Sequence, residues 1–219
     1  MHTGKLMARL NAKNVRFDAG SGGTPELTPA DISAALAMVP PGLGRELLCR
    51  VWWPDGAALT SHELRMLLDG ALFGEWRERA DAMVIAQIRV ATAGESTTRQ
   101  RMARHALDGA KARMWPSIGE TYARLRDTVV EELCDPRLCP DCKGHGHTTT
   151  RDIERACTRC EGSGHVARGP TWRAERLGMK HPSYLALWDE PYRWLLARCT
   201  DELQDADRAM VKALGPVVA

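Results

Sequence analysis

Apolar residues along this chain recur at steps of three and four, not two, over most of its length, and that period predicts a mainly α fold. Thr28-Pro29-Ala30-Asp31 combines an N-cap, a proline at the first helical position and an early acid, opening a helix to about Val39 that Pro40-Pro41 stops. A short helix follows over Leu43 to Trp53, ended by Pro54-Asp55-Gly56. Thr60-x-x-Glu63 is a capping box. Behind it Leu64, Leu67, Leu68, Ala71, Leu72, Met83, Val84, Ile88 and Ala91 fall at helical spacing, so a long helix is expected to run to about Gly94.

Thr97 to Met114 predicts an amphipathic helix, with Met102, Ala103, Ala106, Leu107, Ala110 and Met114 on one stripe and Arg101, Arg104, His105 and Lys111 on the other. A further helix is expected from Ser117 to Cys134, carried by Ile118, Tyr122, Leu125, Val129 and Leu133. After a cysteine-rich stretch, Thr171 to Leu177 reads as a short helix that Gly178 can terminate, and Tyr184 onward as a short and then a long C-terminal helix. Strands are expected only within the cysteine-rich stretch.

Residues 1–24 are basic and end in Ala19-Gly20-Ser21-Gly22-Gly23, which predicts a flexible arm. The remainder, 25–219, is expected to form one helical domain with a metal module, 139–168, inserted in it. A formal net charge of +2 conceals blocks of opposite sign. Residues 97–126 hold seven Lys and Arg against two acids, 127–138 hold one against four, and 139–180 hold eight against five. Two basic blocks thus flank a short acidic one, a pattern suited to an anionic partner such as nucleic acid. No stretch approaches the length of apolar sequence that crosses a membrane.

Seven cysteines, an odd number, with no apolar leader and four of them in two C-x-x-C pairs, favour a reducing cytoplasm and a metal over disulfides. Cys49, Cys134 and Cys199 sit in apolar helical patterns and are expected to be buried, inert thiols. Residues 139–147 read Cys-Pro-Asp-Cys-Lys-Gly-His-Gly-His, and residues 157–165 read Cys-Thr-Arg-Cys-Glu-Gly-Ser-Gly-His, a repeat after 18 residues. Two such knuckles can close a tetrahedron of Cys139, Cys142, Cys157 and Cys160 around one Zn²⁺. Four thiolates leave no open position for water, so the zinc is expected to be structural and the protein not an enzyme. His145, His147 and His165 could replace a cysteine ligand, contact phosphate or a base, or be ordinary surface residues.

These motifs in this order resemble the Q-type late-gene antitermination proteins of lambdoid bacteriophages. The resemblance runs from the Leu27-Thr28-Pro29-Ala30-Asp31 helix entry and Cys49, through the helix ending at Cys134 and both knuckles, to Pro170-Thr-Trp-Arg-Ala-Glu-Arg and Pro191-Tyr-Arg-Trp-Leu-Leu-Ala-Arg-Cys199. The zinc region of DnaJ-type cochaperones shares the C-x-x-C-x-G-x-G knuckle, but normally in four copies and after a J domain whose His-Pro-Asp turn is not found in this sequence. A zinc-stabilised peptide-binding or chaperone adaptor is therefore the alternative.

The resemblance implies a regulator in the cytoplasm of a bacterial host. It would bind double-stranded DNA at a late promoter element and engage bacterial RNA polymerase so that terminators are read through. It also implies that the zinc module sits between two helices of a helix-turn-helix-like DNA-binding unit, about Ser117–Cys134 and Thr171–Leu177 in this chain. Arg173 and Arg176 would then face DNA from the second helix, and Lys143, Arg159 and Arg168 from on or beside the knuckles.

Overall fold

The structure, a computed structural model, describes residues 7, 10, 28–117, 119–135, 137–150, 153–162 and 164–215. Of the expected N-terminal arm only Met7 and Leu10 fall among these, and Met7 is buried in an apolar core. The rest of the arm lies outside the described residues, as does Ile118 of the expected apolar stripe.

Seven helices carry most of the chain in order: α1 (Pro29–Met38), α2 (Leu43–Trp52), α3 (Ser61–Ala91), α4 (Thr97–Ala112), α5 (Glu120–Cys134), α6 (Pro170–Arg176) and α7 (Asp189–Leu214). Four short strands lie between α5 and α6: β1 (Arg137–Leu138), β2 (His147–Thr150), β3 (Ile153–Ala156) and β4 (His165–Val166). The fold is mainly α, with strands only around the cysteines among the described residues. No described helix is long and apolar enough to cross a membrane.

Local chemistry accounts for the helix entries. Thr28 Oγ1 accepts from the Asp31 N–H, while the Asp31 carboxylate accepts from the Thr28 N–H at 2.8 Å, closing a capping box before α1. Thr60 and Glu63 repeat the arrangement before α3, with the Thr60 N–H donating at 2.7 Å. A π-helical segment, Tyr184–Trp188, leads into α7.

The described residues pack as two compact units, where one helical domain over 25–219 is expected. Helical periodicity marks which face of an element is apolar, not which neighbour covers it. The first unit draws on Met1–Leu64, Val129–Arg168 and Trp194–Ala219, and the second on Arg65–Thr128 and Gly169–Arg193. In the first, Ile32, Ala35, Leu36 and Val39 meet Leu48 and Cys49 of α2 and Ala206, Met210 and Leu214 of α7. Gly44 lets α2 approach α7 closely, because a Cβ there would strike the carbonyl of Glu202. Glu46 is buried and fully used: it accepts from the N–H groups of Ala58 and Leu59, both at 3.0 Å, and from Arg50 Nε at 2.7 Å.

In the second unit the Pro116 carbonyl accepts from Trp76 Nε1 at 3.1 Å and Tyr122 Oη at 2.8 Å. Arg79 lies 4.3 Å over the Trp115 ring and pairs with Glu190 at 2.8 Å, and Trp115 Nε1 donates to the same carboxylate. Leu68 and Leu72 of α3 are buried, but Leu67, Val84 and Ile88, expected on the same core stripe, are exposed. Helix α3 carries apolar residues on two faces, and among the described residues only one of them is buried. Met102 of α4 is likewise exposed, while Ala103 and Ala110 are buried.

Candidate metal centre

The two knuckles take up the same backbone path. Lys143 and Glu161 sit at φ of 52° and 51°, Gly144 and Gly162 at 90° and 87°, and Gly146 and Gly164 both at 77°. Glycine is needed at the last pair, since a Cβ on Gly146 would collide with the Gly162 carbonyl and one on Gly164 with the Gly144 carbonyl. The repeat seen in sequence is therefore a local pseudo-two-fold in which each knuckle packs backbone to backbone on the other.

Reciprocal hydrogen bonds hold that contact. The Cys139 N–H donates to the Gly164 carbonyl and the Cys157 N–H to the Gly146 carbonyl, both at 2.8 Å. Two ribbons flank it: β1 pairs antiparallel with β4, Leu138 opposite His165, and β2 pairs antiparallel with β3, His147 opposite Ala156.

The geometry brings the four expected cysteine sulfurs together, all within 4.8 Å of one another and all buried. Cys139 and Cys157 Sγ stand 3.8 Å apart, and Cys142 and Cys160 Sγ 3.7 Å apart. A tetrahedron with metal–sulfur bonds of about 2.3 Å has edges of about 3.8 Å, so the cluster can hold one ion with little movement. The N–H groups of Gly146 and Gly164 donate to Cys142 and Cys160 Sγ, each at 3.3 Å, which stabilises thiolate charge. Burial alone would oppose ionisation of Cys160. The Gly164 N–H, the Cys142 and Cys157 thiols and the Gly162 N–H overcome it, drawing the thiol down to about 7.

Among the described residues the metal-binding group consists of cysteines alone, with no histidine in it. His145 and His147 lie beside each other with ring centroids 6.0 Å apart. Of the remaining thiols Cys49 and Cys199 are buried as expected, and burial pushes Cys199 up to about 12. Cys134, expected buried, is exposed at the last residue of α5.

The five cations expected to face DNA have different fates. Lys143 is exposed at the tip of the first knuckle. Arg159 is half exposed and reaches across to Asp141 of the other knuckle at 2.9 Å. Arg168 is a clamp: its Nη2 donates to the Asp135 carbonyl and carboxylate, both at 2.9 Å, and its N–H donates to Glu132 at 2.9 Å. Arg173 is a correction, because it is 6% exposed with its guanidinium 4.7 Å from the Tyr192 ring, and so is not at a surface that could meet DNA. Arg176 is exposed, with its guanidinium 5.4 Å from the Trp172 ring.

The acidic block 127–138 turns out to be a set of structural partners. Asp127 pairs with Arg65 and Arg126 in the second unit, and Glu132 and Asp135 secure Arg168 in the first. Sequence reasoning did not single out Arg124, whose Nη1 donates to the Leu177 carbonyl at the end of α6 at 3.4 Å. Gly178, at φ 71°, ends that helix as expected. Compared with known proteins, the chain matches no family profile and no curated protein.

Proposed function

We propose that the chain is a zinc-stabilised, DNA-binding transcription regulator of the late-gene antitermination type, acting in the cytoplasm of a bacterial host. The observation that carries this reading is the four-sulfur cluster built by two equivalent knuckles and inserted between α5 and α6. Zinc is the ion of choice for a buried S₄ tetrahedron, and with all four positions filled it serves structure. Arg124 ties the first half of α5 to the end of α6, which supports a fixed pair of helices of helix-turn-helix type. Lys143, Arg176 and the exposed Arg101, Arg104 and Lys111 of α4 supply cations for phosphate or base edges.

The protein would load on double-stranded DNA at a promoter element and then engage bacterial RNA polymerase. The experiment is transcription with purified polymerase on templates that carry a terminator, with the upstream DNA of the protein's own late operon intact or scrambled. Read-through only on the intact template is expected. Equal read-through on both, or none on either, would sink the proposal.

One feature favours a second reading, a zinc-stabilised peptide-binding adaptor. A cleft of about 310 Å³ in the second unit is lined by Leu72, Phe73, Tyr122 and Ala123, with the Arg126–Asp69 pair at its wall. Suppression of client aggregation without DNA affinity would support that reading in place of the first.

A further inference from the structure

Helix α3 presents a second apolar stripe to solvent, opposite the face that buries Leu64, Leu68 and Leu72. Positions 66, 70, 73, 77, 81, 84, 88 and 91, spaced by threes and fours, stay on one side of the helix and all are exposed. The large apolar residues on or beside this stripe (Met66, Leu67, Phe73, Val84, Ile85 and Ile88) are 45–59% exposed. At about 1.5 Å per residue the stripe is about 38 Å long.

Two features of the stripe are unexplained by the fold itself. Gly70 and Gly74 lie inside a 31-residue helix where each costs roughly 1 kcal/mol relative to alanine. A Cβ at either would meet nothing within 4 Å, so no neighbour among the described residues requires glycine there. Arg77 and Asp81, one turn apart and exposed, form no ion pair among the described residues.

We propose that two copies of the chain associate through this face of α3, antiparallel about a two-fold axis beside position 79. That register resolves both features together. It sets Arg77 of one copy against Asp81 of the other, twice by symmetry. It sets Gly70 opposite Ile88, Gly74 opposite Val84, and Phe73 opposite Ile85. Each glycine therefore receives a branched side chain from the partner, and the two helices can pack closely where the glycines lie. A parallel pairing would put Arg77 against Arg77 and glycine against glycine, leaving like charges opposed and voids unfilled. The occupant is a second copy because size and charge along the stripe are complementary to their own reversal. The proposal stands apart from the DNA-binding reading.

The test is sedimentation equilibrium of the full, zinc-loaded, nuclease-treated chain, with far-UV circular dichroism to confirm that each variant is folded. Wild type is expected to dimerise. Arg77→Asp opposes two pairs of carboxylates and is expected to weaken the dimer at least about tenfold. Arg77→Asp combined with Asp81→Arg restores opposite charges only in the antiparallel register, and is expected to recover wild-type affinity within about threefold. A wild-type chain that stays monomeric at ~100 µM would overturn the proposal. So would an Arg77→Asp chain that dimerises like wild type, or a folded double variant that recovers nothing.

Discussion

Arg173 stands on the short helix α6 yet holds its guanidinium 4.7 Å from the ring centroid of Tyr192, at 6% exposure. A charge so enclosed serves the packing of its own unit. Arg173→Ala should therefore lower the unfolding free energy by about 1–3 kcal/mol, through the lost cation–π contact and the polar groups left behind. Arg176→Ala, at an exposed site, should stay within about 0.5 kcal/mol of wild type and, on the proposed function, weaken DNA binding. Urea midpoints and DNA titrations of the two variants check this. An Arg173→Ala protein of unchanged midpoint that loses only specific DNA affinity would refute the assignment.

The symmetry of the knuckles makes a second prediction. Gly146 and Gly164 both sit at φ 77° and each abuts a carbonyl of the opposite knuckle. Alanine at either position must bear left-handed backbone strain and displace the facing turn, a cost of about 1–3 kcal/mol. Gly146→Ala and Gly164→Ala should lower metal affinity to a similar degree, because the positions are equivalent. Competition with a chromophoric chelator measures it, and a large difference between the two would contradict the equivalence.

The four-cysteine cluster, the knuckle repeat and most helix boundaries were legible in the sequence because each rests on local rules: ligand spacing, capping boxes, glycine and proline. Thr28, Thr60 and Gly178 act where their types said they would. What the sequence could not show was which partner each side chain finds. Arg168 and Arg173 look alike as cations near a metal module, but Asp135 and Tyr192, both distant along the chain, decide that one is a clamp and the other is buried. The same limit applies to α3, whose apolar positions satisfy one helical template while lying on two faces.

The capping boxes make stability depend on acidity in a defined direction. Hydrogen bonds from the Thr28 hydroxyl and N–H hold Asp31 below its ordinary value of 3.8, and those from the Thr60 N–H and hydroxyl hold Glu63 below 4.5. Because the folded values are depressed, the contribution is complete above the ordinary values and is lost as pH falls through the depressed ones. Thr60→Ala should lower the thermal midpoint at pH 7 by about 2–4 °C. The gap from wild type should narrow once the pH drops below the carboxylate range, because the hydroxyl's bond to the carboxylate weakens while the Glu63 N–H to Thr60 Oγ1 bond persists. Thermal melts of both proteins from neutral pH into acid give the comparison, and a gap that widens on acidification would contradict the sign.

Metal removal should separate the two kinds of core in the first unit. The four cysteines form their own buried cluster, with only Val166 packed against it among the apolar residues described, while Ile32, Leu36, Leu48 and Met210 belong to another. Ribbons of two to four residues cannot hold the knuckles without the ion, because metal binding and local folding are one event there. Cys142→Ser, or a strong chelator, should therefore abolish amide protection across 137–166 while leaving most of the helical circular dichroism signal intact. On the proposed function, DNA binding should disappear at the same chelator concentration, ahead of any loss of helicity. Hydrogen exchange read alongside circular dichroism resolves the order, and a single cooperative loss of both signals would show instead that the module and the helical core fold as one.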